Sequence, residues 1–282
     1  MKGSETDALV DGSVVERGVR GGRRAVSRRK PLASARETRH DLSVRILVAT
    51  DLHYRLAHYD WLVSHAGDVD VVALTGDLAD VANPVPLGVQ VVVLNRYLEL
   101  VAGQAEVMVA SGNHDLDGPG PDGEQVARWL RRPRPASIHT DGTSHDIDGV
   151  RFTMCPWWDG PITQDAVGKQ LAAAAVDRPE RWIWLYHAPP AGTVLCRDGR
   201  REFPDHQLAA WIEEFQPDVV LTGHIHQAPW IDGGSWHDRV GQTQVFNPGR
   251  QVGQVPPHIT LDTAAGTADW FGVFSSETIA LG

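Results

Sequence analysis

Two cysteines, Cys155 and Cys196, are all that 282 residues contain, too few for a disulfide framework. No stretch reaches the ~18 consecutive uncharged apolar residues that a membrane span requires, and no apolar leader opens the chain. Basic charge is scarce in the body. The net charge is −10, yet residues 1–40 carry ten Lys and Arg against five Asp and Glu, which leaves the remaining 242 residues at −15. An acidic body repels phosphate-rich polymers unless bound cations reverse the field locally. What is present is an apolar fraction of 42%, enough for the core of one large α/β domain or two small ones. A soluble, cytoplasmic globular protein is the expectation.

The basic head, residues 1–42, includes a Gly-, Arg- and Ser-rich run from Arg17 to Arg29 with no sustained apolar period. It reads as a disordered tail, and a solvated extension is favoured over an arm that attracts anionic partners. From Val44 the texture changes to short β-branched runs separated by helical patterns, as in a layered α/β fold. Strands are predicted over 44–50, 70–74, 106–110, 150–154, 182–186, 218–221, 244–246 and 258–261, with a last one near 269–274. Helices are predicted over 56–66, 87–101, 124–131, 162–175 and 205–214. No linker divides residues 43–282, so one domain is expected there.

Five polar junctions follow predicted strands, where an α/β sheet presents its functional loops. Asp51-Leu52-His53 places a carboxylate and an imidazole two residues apart, on one side of an extended segment. Gly76-Asp77 offers a carboxylate whose two oxygens can bridge two cations. Gly112-Asn113-His114-Asp115 sets an amide oxygen, an imidazole and a carboxylate in succession, which packing explains poorly. His187 closes a strand, and Gly223-His224-Ile225-His226 projects two imidazoles from one segment. Each alone is ordinary turn or capping chemistry. Together, Asp51, His53, Asp77, Asn113, His187, His224 and His226 form a mixed carboxylate, amide and imidazole donor set suited to Mn²⁺, iron (Fe²⁺ or Fe³⁺) or Zn²⁺, and its lack of cysteine argues against a structural zinc.

In this order the five blocks resemble the calcineurin-like metallophosphoesterases over residues 44–262, with D-x-H, G-D, G-N-H-D, H and G-H-x-H all intact. The resemblance implies a four-layer αββα sandwich of two packed mixed β-sheets flanked by helices. It also implies two divalent metal ions: Asp51, His53 and His226 on one, Asn113, His187 and His224 on the other, and Asp77 bridging them. A hydroxide bridging the ions would attack phosphorus, and His114 would protonate the leaving oxygen, with Asp115 as its orienting partner.

Substrate is harder to read. Gly76-Asp77 is followed by Leu-Ala-Asp rather than the V-D-R-G run of the family's protein phosphatases, and His114 is retained. A phosphodiesterase acting on small nucleotide-like substrates is therefore expected. A DNA-repair-type exonuclease and a non-catalytic metal-binding scaffold are the alternatives. Long nucleic acid is not favoured, because only about 20 residues follow Leu261 and the core lacks a basic strip with interleaved aromatics. Trp157 and Trp158 follow a strand and can stack a base, although packing beneath their loop is the stronger reading. Arg197 and Arg250 are candidate phosphate contacts, with a solvated role favoured for each.

Overall fold

Alternation along the central strands sets the layers. In the strand Arg45–Ala49, Ile46 and Val48 join a core shared with a second sheet, while Leu47 and Ala49 face a helical layer. The computed structural model describes residues 43–281. The basic tail expected over 1–42 lies outside the described residues.

Along the chain come β1 (Arg45–Ala49), α1 (Leu56–His65), β2 (Val71–Thr75), α2 (Leu87–Ala102), β3 (Glu106–Ala110), β4 (Gly118–Pro119), β5 (Gln125–Val126) and β6 (Ile138–His139). The second half runs through β7 (Thr143–Ile147), β8 (Val150–Met154), α3 (Pro161–Ala175), β9 (Arg181–Leu185), α4 (His206–Phe215), β10 (Val219–Leu221), β11 (His237–Val240), β12 (Thr243–Phe246), β13 (His258–Asp262), β14 (Thr267–Phe271) and β15 (Ser276–Ala280). One sheet has seven strands in the order β15-β14-β13-β1-β2-β3-β6, and the other has six in the order β11-β12-β10-β9-β8-β7. β1, β2 and β3 run parallel, as do β8, β9, β10 and β12, while β13 to β15 and the edge strands β7 and β11 are antiparallel. Both sheets are thus mixed.

Three apolar cores hold four layers. Between the sheets, Val48, Ala73 and Met108 of the first meet Phe152, Leu185 and Phe246 of the second. Behind the first sheet, Leu74 and Val109 pack on Tyr59 and Leu62 of α1 and Leu94 and Leu98 of α2. Behind the second, Trp182, Trp184 and Val220 pack on Leu171 of α3 and Leu208 and Trp211 of α4. Each of these four helices connects two neighbouring parallel strands, β1 to β2, β2 to β3, β8 to β9 and β9 to β10. The αββα sandwich is the fold, and none of its described helices is long and apolar enough to cross a membrane.

The helix expected over Glu124–Arg131 does not form. Its apolar spacing is real, since Val126, Ala127, Trp129 and Leu130 are all buried, but tertiary hydrogen bonds claim the backbone. Asp159 accepts from Gln125 N–H at 2.9 Å, Asp117 from Arg128 N–H at 2.6 Å, and β5 pairs with β4. The sequence reading also passes over β7, β11 and β15, edge strands whose largely exposed or half-exposed residues lack the apolar alternation that marks a buried strand.

Candidate metal centre

The parallel strands β1, β2 and β3 of one sheet and β9 and β10 of the other release their chains at a common end. Asp51, Asp77, Asn113, His187 and His224 each follow one of these strands. Thr75 Oγ1 donates to the Thr222 carbonyl at 3.0 Å, joining the end of β2 to the loop beyond β10. All seven candidate ligands and His114 meet there.

Backbone conformation is unusual at this point. Asp51, His53, Asp77 and His224 all have positive φ, between 43° and 66°, a region that costs a non-glycine residue of order 1–3 kcal/mol. The surrounding packing holds them there. Gly112 fits because a Cβ would press on the Asp77 carboxylate and its backbone nitrogen, and Gly76, at φ 96°, passes beneath the His187 ring.

Each buried carboxylate divides its oxygens between the backbone and the centre. Asp51 Oδ2 accepts from Thr50 Oγ1 at 2.9 Å and His224 N–H at 3.0 Å, whereas Oδ1 has no hydrogen-bond partner. That oxygen faces His226 Nε2 at 3.2 Å, His53 Nε2 at 3.8 Å and His187 Nε2 at 4.0 Å. Asp77 Oδ1 accepts from His114 N–H at 2.8 Å, and Oδ2 lies between His187 Nε2 at 3.2 Å and His53 Nε2 at 3.6 Å. Asn113 Oδ1 and His187 Nε2 are likewise buried without partners. Unsatisfied buried polar atoms are costly, and a shared cation is the kind of partner that would satisfy these together.

The imidazoles are prepared for coordination. His187 Nδ1 must donate to the Thr75 carbonyl at 2.7 Å, which turns Nε2 toward the carboxylates. Burial opposes a charge on His187, but Asp77 and Asp51 outweigh it and hold the ring's pKa at about 9 in the absence of metal. Burial, with His187 beside it, pushes His224 down to about 4 and keeps it neutral. Burial also favours the neutral acid at Asp51, yet the His226 and His53 imidazoles that face it keep its pKa well below the usual carboxylate range. Donor atoms of Asp51, His53 and His226 form one group within 4.8 Å, and those of Asp77, His187 and His224 a second. Two carboxylates, four imidazoles and an amide oxygen fit a pair of divalent ions.

His114 stands at the rim, its ring edge-on to His53 with centroids 4.6 Å apart. The carboxylate beside its ring is that of Asp80 and not that of Asp115: Asp80 Oδ1 lies 3.3 Å from His114 Nδ1, without forming a hydrogen bond. The Asp115 carboxylate is spent on backbone N–H groups of Ala79 at 2.8 Å, Gly112 at 2.9 Å and Leu78 at 3.3 Å, clasping two ligand loops together. Burial and the charge of Asp77 push Asp115 up to about 7. The sequence signal for Asp80 was present in Gly76-Asp77-Leu78-Ala79-Asp80, but only the turn after Asp77 aims it at His114.

Beside the centre opens a cavity of about 540 Å³, walled by Trp157, Trp158, Phe203, His206 and the ligand candidate His224. The Trp157 ring lies 5.5 Å from that of His224 and 5.7 Å from that of His187. Its loop is fixed by a relay in which Trp157 N–H donates to Ser111 Oγ at 3.0 Å, and Ser111 Oγ donates to Asp141 at 2.7 Å. Trp158 Nε1 donates to Tyr186 at 2.6 Å, and Tyr186 to Asp205 at 2.7 Å. Both tryptophans are therefore half-buried and also face the cavity. Arg197 is held by Glu202 at 2.9 Å and does not line it. Arg250 N–H donates to the His226 carbonyl at 3.0 Å, and its guanidinium makes no hydrogen bond to any described residue. Asn247, missed in the sequence, is fully buried, with its amide spanning the Gly223 and Ile225 carbonyls at 3.0 and 3.1 Å.

A family model for calcineurin-like phosphoesterases matches residues 44–228. Among solved structures, TT1561 of Thermus thermophilus is 19% identical with a TM-score of 0.54, the match covering 85% of this chain and all of that one. Purple acid phosphatase PPD1 from yellow lupin seeds is 18% identical with a TM-score of 0.50, covering 84% of this chain and 54% of that one. These are likenesses of fold. No curated protein matches the chain.

Proposed function

The chain belongs to the calcineurin-like phosphoesterase family and is a phosphoester hydrolase, and within that class we propose that it cleaves small nucleotide-like phosphodiesters. Asp51, His53 and His226 would hold one divalent ion, Asn113, His187 and His224 the other, and Asp77, whose Oδ2 faces both groups, would bridge them. When bound, such ions supply Lewis acidity toward the phosphoryl oxygens and acidify the attacking water. His114 donates the proton that the departing alkoxide needs, as the P–O bond to the leaving group breaks and one to water's oxygen forms. Its Nδ1 is turned to Asp80, which leaves Nε2 for the leaving oxygen. Asp115 keeps the Asp77 and Asn113 loops in register and does not touch the reacting atoms.

The cavity carries the substrate reading. Its wall is aromatic and contiguous with the ligand set, so the phosphoester brings a flat apolar group. Among the described residues no Arg or Lys lines it, so none of them supplies a fixed cation for a second phosphate charge, which favours the monoanionic diester over the dianionic monoester. Trp157→Ala tests this. It is expected to raise KM for a cyclic nucleotide or dinucleotide about tenfold or more, the worth of one base stack, while leaving a small alkyl phosphodiester unaffected. Equal effects on both substrates, or a preference for monoesters over diesters, would overturn the reading.

A further inference from the structure

A second group of metal-ligating side chains lies at the opposite end of the strands. Glu106 opens β3, whose far end leads to Asn113, so about 13 Å of strand separates it from the candidate metal centre. His139 on β6 sits beside β3, in register with Met108, and its Nε2 is 3.0 Å from Glu106 Oε2. His145 comes from β7, the edge of the other sheet, and stacks on His139 with ring centroids 3.7 Å apart and planes at 18°.

We propose that Glu106, His139 and His145 bind a single Zn²⁺-class ion that clasps the edge of one sheet to the edge of the other where the chain crosses between them. Donor atoms of all three lie within 4.8 Å of one another, and all three residues are half-buried. Two imidazoles and one carboxylate are a zinc-type donor set, with one tetrahedral position left for water. His145 makes no side-chain hydrogen bond to any described residue, so its ring has no competing partner among them. The neighbouring carboxylate, Asp146, is already engaged by Arg151 through two contacts of 2.8 Å and does not compete. The residues are drawn from three strands of two sheets, so an ion there resists separation of the sheet edges and stabilises the folded chain by mass action.

The test counts zinc. Purified full-length protein, dialysed into zinc buffered by a weak chelator, is expected to retain one more ion per chain than either His139→Ala or His145→Asn, at equal rates of phosphodiester cleavage. Glu106→Gln is expected to lower the retained zinc as well. Anomalous scattering at the zinc edge from zinc-soaked wild-type crystals is expected to give a peak bounded by the three residues, a readout that needs no variant to fold. Equal ion counts in wild type and variants, or no such peak while the catalytic ligands are occupied, would overturn the proposal without touching the reading of the catalytic centre.

Discussion

His53 Nε2 and His226 Nε2 lie 3.1 Å apart, with rings at 81° to each other, although 173 residues separate them in the chain. Two imidazole nitrogens at that distance need a proton or a cation between them, and Asp51 Oδ1, orphaned 3.2 Å from His226, favours the cation. Ion binding is then also folding energy. At a free Mn²⁺ concentration a hundred times the dissociation constant, a bound ion contributes about 2.7 kcal/mol. Stripping the protein with a chelator is expected to lower its melting temperature, and restoring Mn²⁺ to return it. A melting temperature indifferent to both would count against ions at this centre.

His114 is expected to act on the proton and not on the metals. His114→Ala should retain the ion content of the wild type and lose about 10²–10⁴ in kcat, as for removal of a general acid. Asp80→Asn, which acts through the 3.3 Å contact to His114, should cost less in kcat and leave KM unchanged. Mass spectrometry of the bound ions and steady-state kinetics check both. Full activity in His114→Ala would refute the role, and a wild-type kcat in Asp80→Asn would reduce Asp80 to a structural residue.

Much of this was legible in the sequence for a simple reason: each ligand follows a strand whose apolar pattern is strong. Val71–Thr75 and Val219–Leu221 are buried along their whole length, so the polar residues beyond them stand out. What was not legible depends on chain reversal. Asp80 and Asp115 are both carboxylates a few residues from ligands, and only the positive φ at Asp77 and the tight passage at Gly112 decide which one meets His114. The buried set Val126, Ala127, Trp129 and Leu130 mimics a helix because turns can bury residues at the same spacing. Edge strands such as Thr143–Ile147 carry no apolar signal, since much of their surface faces water.

Asn247 holds the loop that carries His224 and His226. Its Nδ2 group serves two carbonyls, and its Oδ1 accepts from Gly249 N–H at 2.8 Å. Asn247→Ala removes three hydrogen bonds and leaves the buried Gly249 N–H without a partner, while the Gly223 and Ile225 carbonyls keep their backbone donors, at a cost of about 1–3 kcal/mol. Metal affinity should fall about 10–100-fold, as for loss of a group that supports ligands. Chemical denaturation and competition with a chromophoric chelator measure the two effects. Wild-type values for both would show that the loop holds its shape without the amide.

Asp141 predicts a pH signature of stability. Burial pushes its pKa up to about 6, against the pull of its Ser111 hydrogen bonds, whereas the unfolded chain titrates near ~3.9. Between these values the folded chain binds more protons than the unfolded one, so the contribution of Asp141 to stability falls as pH rises through that window. Above it, the ionised group costs about 3 kcal/mol. Asp141→Asn removes the titration. Its stability relative to wild type is expected to improve from pH 4 to pH 6 and to level off beyond, measured by denaturant melts at matched metal content. A difference between the two proteins that does not vary with pH would contradict the assignment.

The central claim is that paired ions on these seven residues drive phosphodiester hydrolysis. Its most direct test is to strip the purified protein of metal, reload it with Mn²⁺, and assay bis-p-nitrophenyl phosphate and p-nitrophenyl phosphate side by side while counting bound ions. The account predicts no turnover in the stripped protein, with cleavage restored as bound Mn²⁺ at the catalytic ligands approaches two ions per chain, and with the diester preferred. Restoration at one ion per chain, or no turnover of either ester at full occupancy, would contradict it.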